Sequence, residues 1–73
     1  MLKEVVVFFS YPDTGGTLGQ KTFQTKNDYL AVYNTDRGVL IIDDIKKNKH
    51  ESLGSITETI AVFQTWIYWE KIR

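Results

Sequence analysis

The chain has 73 residues, of which 42% are hydrophobic, and its nine basic and nine acidic side chains give a formal net charge of zero. This length predicts one small domain spanning residues 1–73, and the hydrophobic share argues against a disordered chain. Zero net charge removes the usual electrostatic argument for binding nucleic acid or an anionic membrane. Since there is no cysteine, neither disulfides nor thiolate-bound zinc can reinforce the small core.

The first part of the chain contains one strong strand signal followed by a glycine-rich connection. Residues 3–10 are a β-branched and aromatic run, which must end before Pro12 because proline cannot donate to a strand ladder. Residues 12–19 predict a flexible loop, and residues 20–25 predict a short edge strand. The apolar run 5–9 is too short for a signal peptide, and no segment is long enough to span a membrane, so we expect a soluble, cytoplasmic protein.

The clearest local pattern is a β-hairpin in the middle of the chain. Residues 29–33 and 39–42 are apolar strand candidates, and the five residues between them run from Asn34 to Gly38. Asparagine and aspartate favour turns, and Gly38 can supply the positive φ that closes such a loop. Asp43 and Asp44 are expected to end the second strand.

The C-terminal stretch 57–73 contains both tryptophans and is apolar at both phases of a period-two pattern. One phase contains Val62, Trp66 and Tyr68, and the other contains Phe63 and Trp69, so the stretch predicts a single long strand covered on two faces. A helix is the alternative, because Ser55 and Glu58 fit a capping box. The predicted fold is therefore mainly β, a five-stranded partly open antiparallel barrel or curled sheet of the SH3-like or OB-like kind, with an α+β fold carrying a helix over 56–72 as the alternative.

The titratable residues do not suggest catalysis. Asp43 and Asp44 are adjacent, so on a strand they point to opposite faces, and His50 is the only histidine. The triplet Asp13–Gly15 matches that of aspartic proteases, but that chemistry needs a second copy. We therefore predict no enzyme activity, no catalytic residue, no metal site and no cofactor.

Two binding functions remain, each with its own residues. Large aromatic side chains anchor protein interfaces, so the first is a protein-binding module or homodimer that uses the C-terminal aromatic residues. The residues predicted to bind a protein partner are Phe63, Trp66, Tyr68 and Trp69. The alternative is a small barrel that binds single-stranded nucleic acid by phosphate contacts and base stacking. The residues predicted for that function are Lys46, Lys47, Lys49, His50, Lys71 and Arg73.

A short, cysteine-free and aromatic-rich β domain resembles small proteins of bacteriophages and other mobile elements in size and composition. That resemblance implies a protein that binds a host protein and modulates or inhibits it. It assigns no residue to a site.

Overall fold

The computed structural model describes residues 1–11, 17–47 and 54–73, and every regular element among them is a β-strand. In chain order the strands are β1 (Glu4–Ser10), β2 (Leu18–Gln24), β3 (Tyr29–Asn34), β4 (Leu40–Lys47), β5 (Ser55–Phe63) and β6 (Trp66–Lys71). They form two antiparallel three-stranded sheets, sheet A in the order β2-β1-β6 and sheet B in the order β3-β4-β5. The mainly β prediction is confirmed, and the alternative helix over 56–72 is wrong.

The C-terminal stretch is two strands instead of one, which corrects the predicted count of five. β5 belongs to sheet B and β6 to sheet A, with bends at Gln64 and Thr65 between them. The register of β6 on β1 also shifts between Phe8 and Phe9, which leaves Ile67 as an extra residue. A period-two sequence pattern cannot show the change of sheet or the register shift. After each of them, side chains that the pattern assigns to one face lie on the opposite face. The described strands form two separate sheets and no closed barrel.

The predicted central hairpin is confirmed, including the conformation of its glycine. β3 pairs with β4, and Gly38 has a φ of 78°. The hydroxyl of Thr35 accepts hydrogen bonds from the backbone N–H groups of Arg37 and Val39, which holds the turn. The second strand is longer than expected, because β4 continues through the two aspartates to Lys47.

The core lies between the inner faces of the two sheets. Its fully buried side chains are Val5, Val7, Leu30, Leu40 and Ile42. Several larger side chains surround this cluster and are partly buried against it. They include Leu2, Phe9, Phe23, Val32, Ala61, Phe63, Trp66 and Trp69. The core is small and made mostly of aliphatic groups, with aromatic rings at its border.

Polar contacts join the two sheets at their ends. The indole Nε1 of Trp66 in sheet A donates to the carbonyl oxygen of Gly38 in the sheet B hairpin at 2.9 Å. At the other end, the N–H of Leu30 donates to the carbonyl oxygen of Leu2 at 2.8 Å. These contacts connect β6 to the β3–β4 turn and the start of the chain to β3.

The molecule is elongated for its length. Its principal extents are 48 × 25 × 15 Å and its radius of gyration is 13.9 Å, whereas a compact domain of this length has a radius of about 11 Å. The accessible surface is 5362 Å², against roughly 4,700 Å² for a typical monomer of this mass. The chain therefore exposes more surface than a compact monomer, and part of that surface is apolar.

Candidate interaction surface

The outer face of sheet A presents a pair of aromatic rings, of which Phe8 is half-buried and Tyr68 is exposed. In β1, Val5 and Val7 point into the core, so alternation directs Val6 and Phe8 to the outer face, where Val6 is buried and Phe8 is half-buried. Phe8 pairs with Tyr68 of β6, and their rings stack with centroids 6.1 Å apart at 28°. Tyr68 is 52% exposed.

Leu18, the first residue of β2, extends this apolar area toward the start of that strand. It pairs with Ser10, which alternation places on the same outer face as Phe8, and it is 70% exposed. We call Phe8, Leu18 and Tyr68 the aromatic patch. The patch combines two rings and an aliphatic side chain on one face of sheet A.

The neighbours of the aromatic patch along β2 are uncharged. Gln20 lies opposite Phe8, and Thr22 lies opposite Val6. A carboxylate is found at the border, where the hydroxyl of Tyr68 donates to Oε2 of Glu70 at 3.3 Å. An apolar centre with few charges and a polar border is the usual composition of a protein-binding surface.

The acidic border affects the titration of Tyr68. The negative charge of Glu70, followed by the hydrogen bond to it, raises the pKa of Tyr68 above 10.0. Glu70→Gln removes the charge that disfavours the phenolate, so we expect the pKa of Tyr68 to fall toward its ordinary value. The tyrosine ring carbons followed by NMR against pH measure this change.

Tyr33 provides the control for that titration. Its own pKa is raised by a hydrogen bond to Asp43 in sheet B, a contact that does not involve Glu70. Glu70→Gln should therefore leave the pKa of Tyr33 unchanged. A Tyr68 pKa that stays the same in the variant would show that the two side chains are not in contact in solution.

The two adjacent aspartates of β4 serve the fold and do not meet. Asp43 is buried, and its carboxylate accepts hydrogen bonds from the hydroxyls of Tyr33 at 2.9 Å and Thr59 at 2.7 Å. Asp44 accepts from Thr25 Oγ1 at 2.6 Å. Since the two carboxylates have different partners on opposite faces, they cannot share a proton as a catalytic pair.

The structure separates the four aromatic residues predicted to bind a partner. Phe63, Trp66 and Trp69 pack against the core, and Tyr68 alone among the four lies on an outer face. Phe8 and Leu18, which the structure places beside Tyr68 on this face, were not among the residues predicted to bind a partner. The alternation in β1 contained a signal for Phe8, because a run that is apolar at every position must place some of its side chains on the outer face.

The predicted nucleic-acid residues also lie apart, as far as the structure describes them. Lys46 and Lys47 are exposed at the end of β4 in sheet B. Lys71 is in β6 of sheet A, and Arg73 forms an ion pair with Glu4 at 2.9 Å. Lys49 and His50 lie outside the described residues, as do the Asp13–Gly15 triplet and most of the glycine-rich loop.

A cleft of about 370 Å³ opens at the end of the molecule where the chain start meets β3. Its lining consists of Met1, Leu2, Tyr29, Leu30 and Lys47. Within the described residues, no group of three or more His, Cys, Asp or Glu side chains could hold a metal ion. The described part of the chain also contains no helix that could cross a membrane.

No protein-family model matches the chain, and neither a curated protein nor a solved structure matches it.

Proposed function

We propose that this chain is a non-enzymatic protein-binding module that docks a partner protein on the aromatic patch, and that it modulates the partner by occupying its surface. The observation that supports this most is the stacked pair of Phe8 and Tyr68 on a face whose neighbours along β2 are uncharged. Tyrosine gives a large contact area at a low cost in conformational entropy, which is why it is common at the centre of interfaces.

The energetics favour a partner with an apolar surface of its own. Covering an exposed leucine or tyrosine side chain stabilises a complex by about 1–2 kcal/mol of apolar burial. The rings of Phe8 and Tyr68 already hold each other by stacking, so binding needs little further ordering of these side chains. Affinity that comes mainly from apolar contact should depend only weakly on salt.

The partner can be identified by crosslinking from the patch. A photo-reactive phenylalanine analogue in place of Leu18 should crosslink to the partner in the source cells. With the purified partner, Tyr68→Ala should raise the dissociation constant by about 30-fold, which corresponds to a loss of about 2 kcal/mol. Calorimetry measures this change.

Val62→Ala is the matched control for the patch. Val62 is 56% exposed on β5 of sheet B, so this truncation also removes exposed apolar atoms but does so outside the aromatic patch. It should leave the dissociation constant within about twofold. If Val62→Ala weakened the complex while Tyr68→Ala did not, the patch on sheet A would not be the binding surface.

Single-stranded nucleic acid is the second candidate ligand, since Lys46 and Lys47 are exposed next to each other at the end of β4. That function predicts oligonucleotide binding that falls steeply with salt and is reduced by Lys46→Gln with Lys47→Gln. Fluorescence anisotropy at low salt tests it. Salt-sensitive binding that disappears in this double variant, with no protein partner crosslinked from Leu18, would favour nucleic acid over the protein-binding proposal.

A further inference from the structure

Within residues 1–11, 17–47 and 54–73, β5 is an edge strand without the usual protection against pairing. It lies at the end of sheet B, and residues 55–60 are all exposed. Natural edge strands are commonly protected by lysine or proline, but β5 has neither, and Glu58 is its only charged residue. Its remaining residues are mostly threonine, isoleucine and valine, which favour strand pairing.

Hydrogen bonds on the far side of β4 show which β5 residues point to the free edge. The carbonyl of Ile45 accepts from the N–H of Asp28, and the N–H of Lys47 donates to the Asp28 carboxylate, so both point toward β3. Backbone groups of successive strand residues alternate sides, so Ile45 and Thr57 face each other as a non-hydrogen-bonded pair. The N–H and C=O of Thr57 therefore point away from β4, toward the free edge.

Because backbone groups alternate sides along a strand, residues two positions before and after Thr57 direct their N–H and C=O groups to the same side as Thr57 does. Ser55 and Thr59 lie opposite Lys47 and Asp43, and they also direct their backbone groups outward. The free edge thus offers three residues with donors and acceptors, centred on Thr57. An antiparallel strand would satisfy all of them.

The charges of β4 are arranged with opposite signs on the two sides of this centre. Asp43 and Asp44 precede Ile45, and Lys46 and Lys47 follow it. Since Ile45 lies opposite Thr57, a two-fold axis through Thr57 places the acidic end of one copy beside the basic end of the other. This complementarity is a property of the β4–β5 register.

We propose that a second copy of the chain pairs with this edge, β5 to β5, antiparallel and centred on Thr57. Thr57 then faces Thr57 of the second copy, and Ile56 faces its Glu58. These pairs form one row of side chains that crosses β4 and β5 of one copy and then β5 and β4 of the other. In that order the row contains Lys46, Ile56, Glu58 and Asp44. Lys46 and Glu58 lie two strands apart, about 10 Å between Cα atoms, which their long side chains can bridge.

The two neighbouring two-fold registers, centred on Glu58 and on Ile56, place like charges together. An axis through Glu58 puts two Asp44 and two Glu58 carboxylates in a single row, because Asp44 lies opposite Glu58 within each copy. An axis through Ile56 puts both Lys46 side chains in one row. Like charges opposite each other destabilise a strand pair, so the Thr57 register is favoured.

The paired copies would form one continuous sheet of six strands and leave the aromatic patch on sheet A uncovered. The extra surface of the elongated monomer agrees with such an association. Pairing over residues 55–59 of one strand gives a small interface, so we expect a dissociation constant in the micromolar range. This self-association does not depend on the proposed binding of a partner protein.

Thr57→Lys tests the position of the axis. It places two ammonium groups directly opposite each other in the dimer, and we expect the dissociation constant measured by sedimentation equilibrium to rise by more than tenfold. The matched control is Thr22→Lys on β2, the exposed edge strand of sheet A, which should leave the dimer intact. Equal effects of the two variants would overturn the proposal, and so would a wild-type chain that stays monomeric up to about 1 mM.

Two complementary charge reversals test the register. In Lys46→Glu or Glu58→Lys alone, each homodimer has like charges where the wild type has opposite ones, so self-association should weaken by about tenfold. Mixing the two variants restores both opposite pairs, and a 1:1 heterodimer should form in preference to either homodimer. An equimolar mixture without that preference would overturn the Thr57-centred register. Binding to a purified partner through Tyr68 is measured separately, so failure of one proposal is distinct from failure of the other.

Discussion

Ile42→Ala is expected to lower the free energy of unfolding by about 3–4 kcal/mol. Ile42 is fully buried in the centre of β4, within the cluster that joins the two sheets. Truncation removes its transfer free energy and leaves a cavity, because the surrounding strands cannot move together freely. A chain of this length has a total stability of about 4–11 kcal/mol, so the variant should lose a large share of it.

Ile67→Ala is the matched control for this prediction. The same atoms are removed, but Ile67 is 55% exposed at the register shift in β6. We expect a change below about 1 kcal/mol. Urea denaturation followed by tryptophan fluorescence measures both variants, and equal losses would mean that Ile42 is not in a packed core.

Gly38→Val is expected to destabilise the protein by about 2 kcal/mol. Gly38 has a φ of 78°, where a β-branched side chain is strained. Among the described residues other than 37–39, no atom lies within 4 Å of the position that a Cβ would occupy, so the cost is one of backbone conformation and not of collision. Strain at this turn should also disturb the Trp66 indole, which donates to the Gly38 carbonyl.

Asparagine at the same position separates conformation from side-chain volume. Asn tolerates a positive φ better than other residues that carry a Cβ, so Gly38→Asn should cost less than half as much as Gly38→Val. Thermal melts measure the stability, and the indole N–H resonance of Trp66 reports on the turn. A Gly38→Val variant that melts like the wild type would show that residue 38 has an ordinary β conformation.

If both proposed surfaces are used, self-association through β5 would make the protein bivalent for its partner. The aromatic patch lies on sheet A, and the β5 edge belongs to sheet B, so a dimer through β5 would present two patches. Two linked patches raise the apparent affinity for a partner that is itself multivalent, provided that the geometry allows both to bind. Thr57→Lys should then weaken binding to such a partner without changing the affinity of a single patch.

The sequence by itself determined those parts of the fold that depend on neighbours along the chain. The first strand, the edge strand near residues 20–25 and the central hairpin were all predicted, because turn residues and strand composition act locally. Gly38 was identified for the same reason, since a positive φ in a tight turn is a property of a few consecutive residues.

Only the tertiary structure decided the location of the exposed aromatic residues. The chain changes sheet at Gln64 and Thr65 and has a register shift next to Ile67, so Trp66 and Trp69 both border the core while Tyr68 faces outward. Alternation defines opposite faces only within an uninterrupted strand, and every bend or bulge reverses it. The Phe8–Tyr68 contact and the position of Thr57 opposite Ile45 also join residues far apart in the chain, and the pairing register that brings such residues together is set by packing between the strands.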